Sequence, residues 1–226
     1  MTSVPRWDYV GEGLVEEQLP TVPWPLVQSW VEQAAAMVAT RPDLHEPTSM
    51  AIATVDEDGR PDVRECLMRF LSPVGPGFVS SRHSAKAAHI AATGVLATSL
   101  TWSPLFRAIR FRGPAVEIAQ DEVDAYWGER PWGSRISAWA SRQSHPVAGR
   151  TELEAAVARY AAQWPDRGGP DDVPIPPDWV GYRVVAEQVE FWSGRSSRLH
   201  DRFRFVREGA GDMATVGIWT WRRLQP

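Results

Sequence analysis

The strongest constraint on the fold is a run of short apolar segments of strand length, most of them closed by Gly, Pro or Asp-Gly turns. Residues 50–55 read as a buried strand, Asp56-Glu-Asp-Gly-Arg60 as a hairpin turn and residues 61–71 as the returning strand. Residues 78–81, 94–102, 106–118, 182–185, 189–192, 203–207 and 218–222 are further strand candidates. Helices are fewer. Pro25 suits a first helical turn, and Leu26, Trp30, Val31, Ala34, Met37 and Val38 follow as one apolar stripe that Pro42 ends. Ser84 can cap a helix over 84–92, and short helical stretches fall near 120–128 and 134–140. Thr151-Glu-Leu-Glu154 has the form of a capping box, with Leu153, Val157, Tyr160, Ala161 and Trp164 on the helix face behind it. Residues 165–178, rich in Pro, Gly and Asp, read as a loop. The pattern predicts a mainly β fold with helices (α+β), a β-barrel with helical decoration. A dinucleotide-binding α/β fold is disfavoured, because Gly75-Pro-Gly77 lacks the G-x-G-x-x-G spacing and its following helix. No repeat or linker divides the chain, so the expectation is an irregular arm over residues 1–24 and one domain over 25–226.

Net charge is −4 over 226 residues, with an isoelectric point near 5.8, which argues against nucleic acid or an anionic membrane as partner. A single cysteine, Cys66, excludes a disulfide framework and a thiolate metal cluster within one chain. No apolar run approaches the roughly 18 residues of a membrane span. The first 20 residues carry acidic side chains and no basic-then-apolar leader, so a cytoplasmic location is expected. The 12 tryptophans suit core packing, although a Trp can also wall a flat cofactor.

Several catalytic templates are absent: a Walker A loop, G-x-S-x-G, H-E-x-x-H and C-x-x-C. The five histidines are scattered, and no metal site is expected. What stands out is arginine in apolar or turn contexts. Arg64 and Arg69 lie in an apolar strand, Arg130-Pro-Trp-Gly-Ser134 opens a helical stretch, and Arg198-Leu-His-Asp-Arg202 follows Val189-Glu-Phe-Trp192. Guanidinium forks suit phosphate oxygens. Each arginine alone also fits an ion-paired strand or surface position, and spacing does not name a ligand.

Tyr126-Trp-Gly-Glu-Arg-Pro-Trp-Gly-Ser134, Ala138-Trp-Ala-Ser-Arg-Gln-Ser144, Val189-Glu-Phe-Trp-Ser-Gly194, Arg198-Leu-His-Asp-Arg202 and Arg223-Leu-Gln-Pro226 together resemble the pyridoxamine/pyridoxine 5′-phosphate oxidases. The resemblance runs from about residue 25 to the end. It implies an FMN-binding split β-barrel that dimerises with FMN at the interface. The implied reaction oxidises pyridoxamine or pyridoxine 5′-phosphate to pyridoxal 5′-phosphate, with O2 as acceptor and H2O2 as product. By position, Arg64, Ser80, Ser84 and Lys86 would meet the FMN phosphate, and the backbone of Cys66 and Leu67 would run along the ring. Gln143, Ser144, Trp192 and Arg202 would complete the cofactor site from the partner subunit. Arg69, Tyr126, Arg130 and Ser134 would bind the substrate phosphate, and Arg198 and His200, the implied catalytic pair, would sit over the pyridine ring.

The chain departs from that pattern at four places. Arg69 stands where the family usually has Lys, Val79 where Tyr or Phe is common, Ala85 where Arg is frequent and Ala108 where Gln often contacts the flavin. These changes keep two other readings open. One is a related oxidase of another ring, such as a phenazine precursor in secondary metabolism; relatives of that kind tend to lose the Tyr and Ser that Tyr126 and Ser134 retain here. The other is a non-catalytic split barrel that carries pyridoxal phosphate, flavin or haem.

Overall fold

The computed structural model describes residues 8–226, so the first seven residues of the expected arm lie outside the described residues. β1 (Ser49–Val55) and β2 (Pro61–Leu67) form the first hairpin. Its turn closes because Asp56 Oδ1 accepts the Asp58 and Arg60 amides (3.0 and 2.7 Å), while Gly59 takes a left-handed φ of 80°. The segment read as one strand over 61–71 is two. After β2 the Met68 amide turns to Thr48 O and the Arg69 amide to Gly77 O, and β3 (Phe70–Ser72) then pairs with β4 (Gly75–Ser81). The chain stays extended across the break but changes partners.

β5 (Val95–Trp102), β6 (Arg107–Glu117), β7 (Trp179–Val184), β8 (Gln188–Ser193), β9 (Asp201–Arg207) and β10 (Trp219–Arg223) complete the sheet. Every pairing is antiparallel. The main path runs β10-β9-β8-β6-β5-β1-β2, and β7 bridges β6 to β4. β6 is the strand that splits. Its residues 107–112 pair with β8 and its residues 115–117 with β7. Gly113 marks the switch, since a Cβ there would meet Val185 O at 2.0 Å. The result is a curled, split half-barrel.

Alternation sets its inside. Met50, Ile52, Leu100, Ile109, Phe111, Phe191, Phe203 and Phe205 are buried together, each large side chain contributing about 1.5–3 kcal/mol. α1 (Trp24–Met37) lays Val27, Trp30 and Ala34 on this core, and Trp30 meets Phe191 edge-on at 5.3 Å. Of the expected stripe, Met37 and Val38 remain exposed at its fraying end. α2 (Ala85–Thr93) is capped by Ser84, whose Oγ accepts the Ala87 amide, and it ends at left-handed Gly94.

α3 (Gln120–Glu129), α4 (Trp132–Ala140) and α5 (Arg150–Gln163) form a second, tryptophan-rich layer. The expected capping box does not form. α5 starts at Arg150 after Gly149, no side chain caps it, and Glu154 pairs with Arg150 instead. The 165–178 loop is held by the helices it crosses. Trp127, Trp132 and Trp139 donate their indole N–H to Val173 O, Trp164 O and Pro174 O, and buried Arg135 donates to the Gly169 and Pro170 carbonyls. No helix among the described residues is long and apolar enough to cross a membrane.

Candidate active site

Three groups of predicted residues assemble, two on one side of the barrel and one on the other. The first is a basic cradle between β4 and the start of α2. Lys86, the only lysine of the chain, is 5% exposed. Its Nζ donates to Gln143 Oε1 at 3.0 Å and to Ser80 Oγ at 3.3 Å, and no salt bridge reaches it among the described residues. Ser80 Oγ also donates to Gln143 Oε1 (2.8 Å) and lies 3.0 Å from Ser84 Oγ. Burial pushes the Lys86 ammonium below the ordinary lysine range, and the Arg64 charge lowers it further against the pull of Cys66 and Asp62.

Arg64 enters from β2, opposite Ile52 and therefore on the barrel's inner face. Its Nη1 donates to Thr54 Oγ1 (2.7 Å) and Ile52 O (3.1 Å), and its Nη2 pairs with the Asp62 carboxylate. Cys66 points to the same face two residues on, and burial raises its thiol, partly offset by Lys86 and Arg64. Leu67 ends the strand opposite Ser49.

This arrangement fits a phosphate. Ser80 Oγ, Lys86 Nζ and, at 3.5 Å, the Ser81 amide converge on one oxygen, that of Gln143, and the capped N-terminus of α2 lies beside them. A buried ammonium with only neutral partners is costly until an anion arrives. The resemblance implied that Gln143 comes from the partner subunit; here it reaches the cradle of its own chain. Ser144 beside it is exposed and left-handed (φ 71°), with no side-chain hydrogen bond among the described residues.

The second group is a candidate anion clamp around Arg130. Arg130 Nη1 donates to Tyr126 Oη at 3.4 Å and Nη2 to the backbone carbonyl of Ser134 at 3.0 Å, and the guanidinium stacks 4.8 Å over Trp179. Tyr126 meets Phe70 edge-on at 5.5 Å, next to exposed Arg69. Trp179 is the strand partner of Ser81, so clamp and cradle share one support.

The third group lies at the other end of the sheet. Ala108 pairs with Trp192, and Trp192 with Arg202. Trp192 and His200 rings are 4.9 Å apart, and Tyr9 packs edge-on against both. Ser197 and Arg198 are both left-handed (φ 56° and 65°), a costly loop geometry for side-chain-bearing residues. His200 Nδ1 accepts the Arg195 amide at 3.1 Å, which leaves the neutral ring's proton on Nε2. Burial, then the charge of Arg198, holds this imidazole below the usual histidine range, against the pull of Asp201. Arg202 is committed inside the chain, with Nε and Nη2 on Glu190 Oε1 (3.0 and 2.8 Å) and Nη1 on Gln225 O. Burial works to raise Glu190, but hydrogen bonds from Arg202 and Arg204 outweigh it and keep the carboxylate ionised.

Sequence reasoning missed Thr54, Glu190, Asp201 and Tyr9. Glu190 and Asp201 sat inside the quoted motifs, but their partners are fixed only by strand register. Tyr9 lay in a segment without periodicity.

From β2 to β8 the sheet path has four strand steps, of about 4.8 Å each. The cradle and the Trp192–His200 wall thus stand on different strands of the sheet. Residues 36–164 match the family described as "Pyridoxamine 5'-phosphate oxidase", and residues 179–226 match "Pyridoxine 5'-phosphate oxidase C-terminal dimerisation region". A "Pyridoxine/pyridoxamine 5'-phosphate oxidase" of Pseudomonas fluorescens (strain Pf0-1) is 39% identical over 98% of this chain and 96% of its own length. One of Streptomyces avermitilis is 38% identical over 98% and 94%. Among solved structures, PhzG from Burkholderia lata 383, in complex with tetrahydrophenazine-1-carboxylic acid, matches with a TM-score of 0.80 and 29% identity over 96% of this chain and 99% of that one. With relatives this similar along nearly its whole length, the chain belongs to the pyridoxamine 5′-phosphate oxidase family of oxidoreductases.

Proposed function

We propose that this protein is an FMN-dependent oxidase that converts pyridoxamine or pyridoxine 5′-phosphate to pyridoxal 5′-phosphate, with O2 as acceptor and H2O2 as product. It works as a homodimer in which each site joins the cradle and clamp of one protomer to the Trp192–His200 wall of the other. The observation that carries this reading is the pair of anion sites on one support, the Lys86 cradle and the Arg130 clamp, linked through the Ser81–Trp179 pair. Two phosphates, one on the cofactor and one on the substrate, need two such sites.

Arg64, Ser80, Ser84 and Lys86 would hold the FMN phosphate, with Gln143 turning its amide as the anion takes over its donors. Cys66 and Leu67 would line the ring, and Ser144, Trp192 and Arg202 would close the site. FMN, when bound, supplies the hydride acceptor. The side chains of this chain bind and orient. Arg130, Tyr126 and Ser134, with Arg69, grip the substrate phosphate. Arg198 and His200 cover the ring, His200 offering a proton at Nε2 and Arg198 a fixed positive charge. The location that follows for such an enzyme is the cytoplasm, in the formation of pyridoxal phosphate.

A second reading, oxidation of a phenazine precursor, draws support from the likeness to PhzG and from Ala108, which stands opposite Trp192 at a position where the family often has Gln. Anaerobic mixing of the FMN-loaded protein with pyridoxamine 5′-phosphate separates the two. Bleaching of the flavin absorbance, reversed on admitting oxygen, is the expected result. Flavin that stays oxidised with this substrate but bleaches with a reduced phenazine carboxylate would replace the first reading with the second.

A further inference from the structure

The arm is fastened to the edge of the barrel that carries Arg198 and His200. Tyr9 packs against Phe106, Trp192 and His200, and the Arg198 guanidinium lies 4.8 Å over its ring. Gly11 and Gly13 permit the close approach: a Cβ at Gly11 would meet Gly194 O at 2.4 Å, and one at Gly13 would meet Arg195 Nη1 at 1.9 Å. Leu14 is buried in the main core.

Just beyond, charge takes over. Arg223 Nε and Nη2 donate to Glu16 Oε1 and Oε2 at 2.6 and 2.8 Å, and Nη2 also reaches Leu14 O at 3.4 Å. Its Nη1 donates to Asp201 Oδ1 at 2.6 Å, while Asp201 Oδ2 accepts the Leu14 amide at 3.0 Å. One guanidinium thus joins the arm, β10 and the residue next to His200.

We propose that Glu16, Arg223 and Asp201 form a buckle that holds the arm across the Arg198–His200 loop, so that Glu16 and Arg223 are positioning residues for the ring-binding half of the site. The inference rests on the reading of that loop as facing substrate. Isolated exposed ion pairs contribute little, but this one is bidentate and shares its guanidinium with a second carboxylate and a backbone carbonyl. The Glu16 carboxyl is held down to about 2, chiefly by its hydrogen bonds from Arg223, so the buckle stays charged at working pH. Glu17, its neighbour, makes no ion pair among the described residues and serves as the control.

The test uses the full-length FMN-loaded protein and its Glu16→Ala, Arg223→Lys and Glu17→Ala variants. Hydrogen exchange over residues 9–22 is followed beside KM and kcat for pyridoxamine 5′-phosphate. Glu16→Ala is expected to speed exchange of the arm and to raise KM about three- to tenfold with kcat nearly unchanged. Arg223→Lys, which keeps the charge but not the fork, should fall between Glu16→Ala and wild type, and Glu17→Ala should match wild type in both readouts. Unchanged arm exchange in Glu16→Ala overturns the buckle, and faster exchange with an unchanged KM overturns its positioning role. A wild-type protein inert toward the substrate would defeat the functional reading instead, while the exchange rates still decide whether the buckle exists.

Discussion

Lys86 sits where a lysine is hard to keep: nearly enclosed, paired only with hydroxyl and amide groups, and lowered by burial. Its cost and its use are linked. Lys86→Met should weaken FMN binding about 10- to 100-fold, the range for losing a charge-assisted phosphate contact. It should also leave the FMN-free protein as stable as wild type or more so, because a buried unpaired ammonium is removed. Flavin fluorescence titration and thermal melts measure the two effects. The pH dependence follows from the same shift. The folded state binds the Lys86 proton less readily than the unfolded chain does, so this group costs stability at low pH. That cost is relieved as pH rises from the lowered folded value toward the ordinary lysine value of about 10.4. Melts of FMN-free wild type should therefore rise over that alkaline window more than those of Lys86→Met. His200 shifts in the same direction, so its ring stays neutral at neutral pH. The acid limb of kcat/KM should fall below about pH 6.5, and His200→Asn should remove that limb as well as most of the turnover.

At the scale of elements, the site depends on the α3–α5 layer and on the 165–178 loop it holds. α4 ends just before Gln143, and its position is fixed by Trp139 and Arg135 bonding the 165–178 loop. Arg135→Leu should strip the partly exposed Gly169 and Pro170 carbonyls of their donor and cost about 1 kcal/mol in denaturant unfolding, with FMN affinity falling as Gln143 drifts. The sequence shows which parts of this are local. Alternation at Met50 and Ile52, the Asp-Gly turn and the Ser84 cap depend on neighbours within a few residues, and all appear as expected. The break at Met68–Arg69 was not legible, because an extended apolar strand looks the same whether it keeps one partner or exchanges it. The Thr151 capping box failed for a similar reason: its spacing is right, but helix formation begins at Arg150 and leaves Thr151 inside.

At the scale of the molecule, motif resemblance named candidate side chains, and the fold decides which of them lie together. Arg64 and Lys86 belong together only because β2 pairs with β1 and α2 packs behind it; Arg202 is held by Glu190 only through the β8–β9 register. That same topology puts the cradle and the Trp192–His200 wall on different strands of a chain whose residues 179–226 match a dimerisation region. In the arrangement proposed above, a working site would join two protomers, and each protomer would serve two sites.

Mixing two inactive variants tests this directly. Lys86→Met disables the cradle and His200→Asn the wall, so each homodimer should be nearly inactive. Refolded or co-expressed together, they should recover about a quarter of wild-type activity, because half of the dimers are mixed and a two-fold dimer then has one of its two sites intact. Recovery near that level would establish a site shared between subunits. No recovery, with mixed dimers verified by mass, would mean that both groups act within one chain and would contradict the arrangement proposed here.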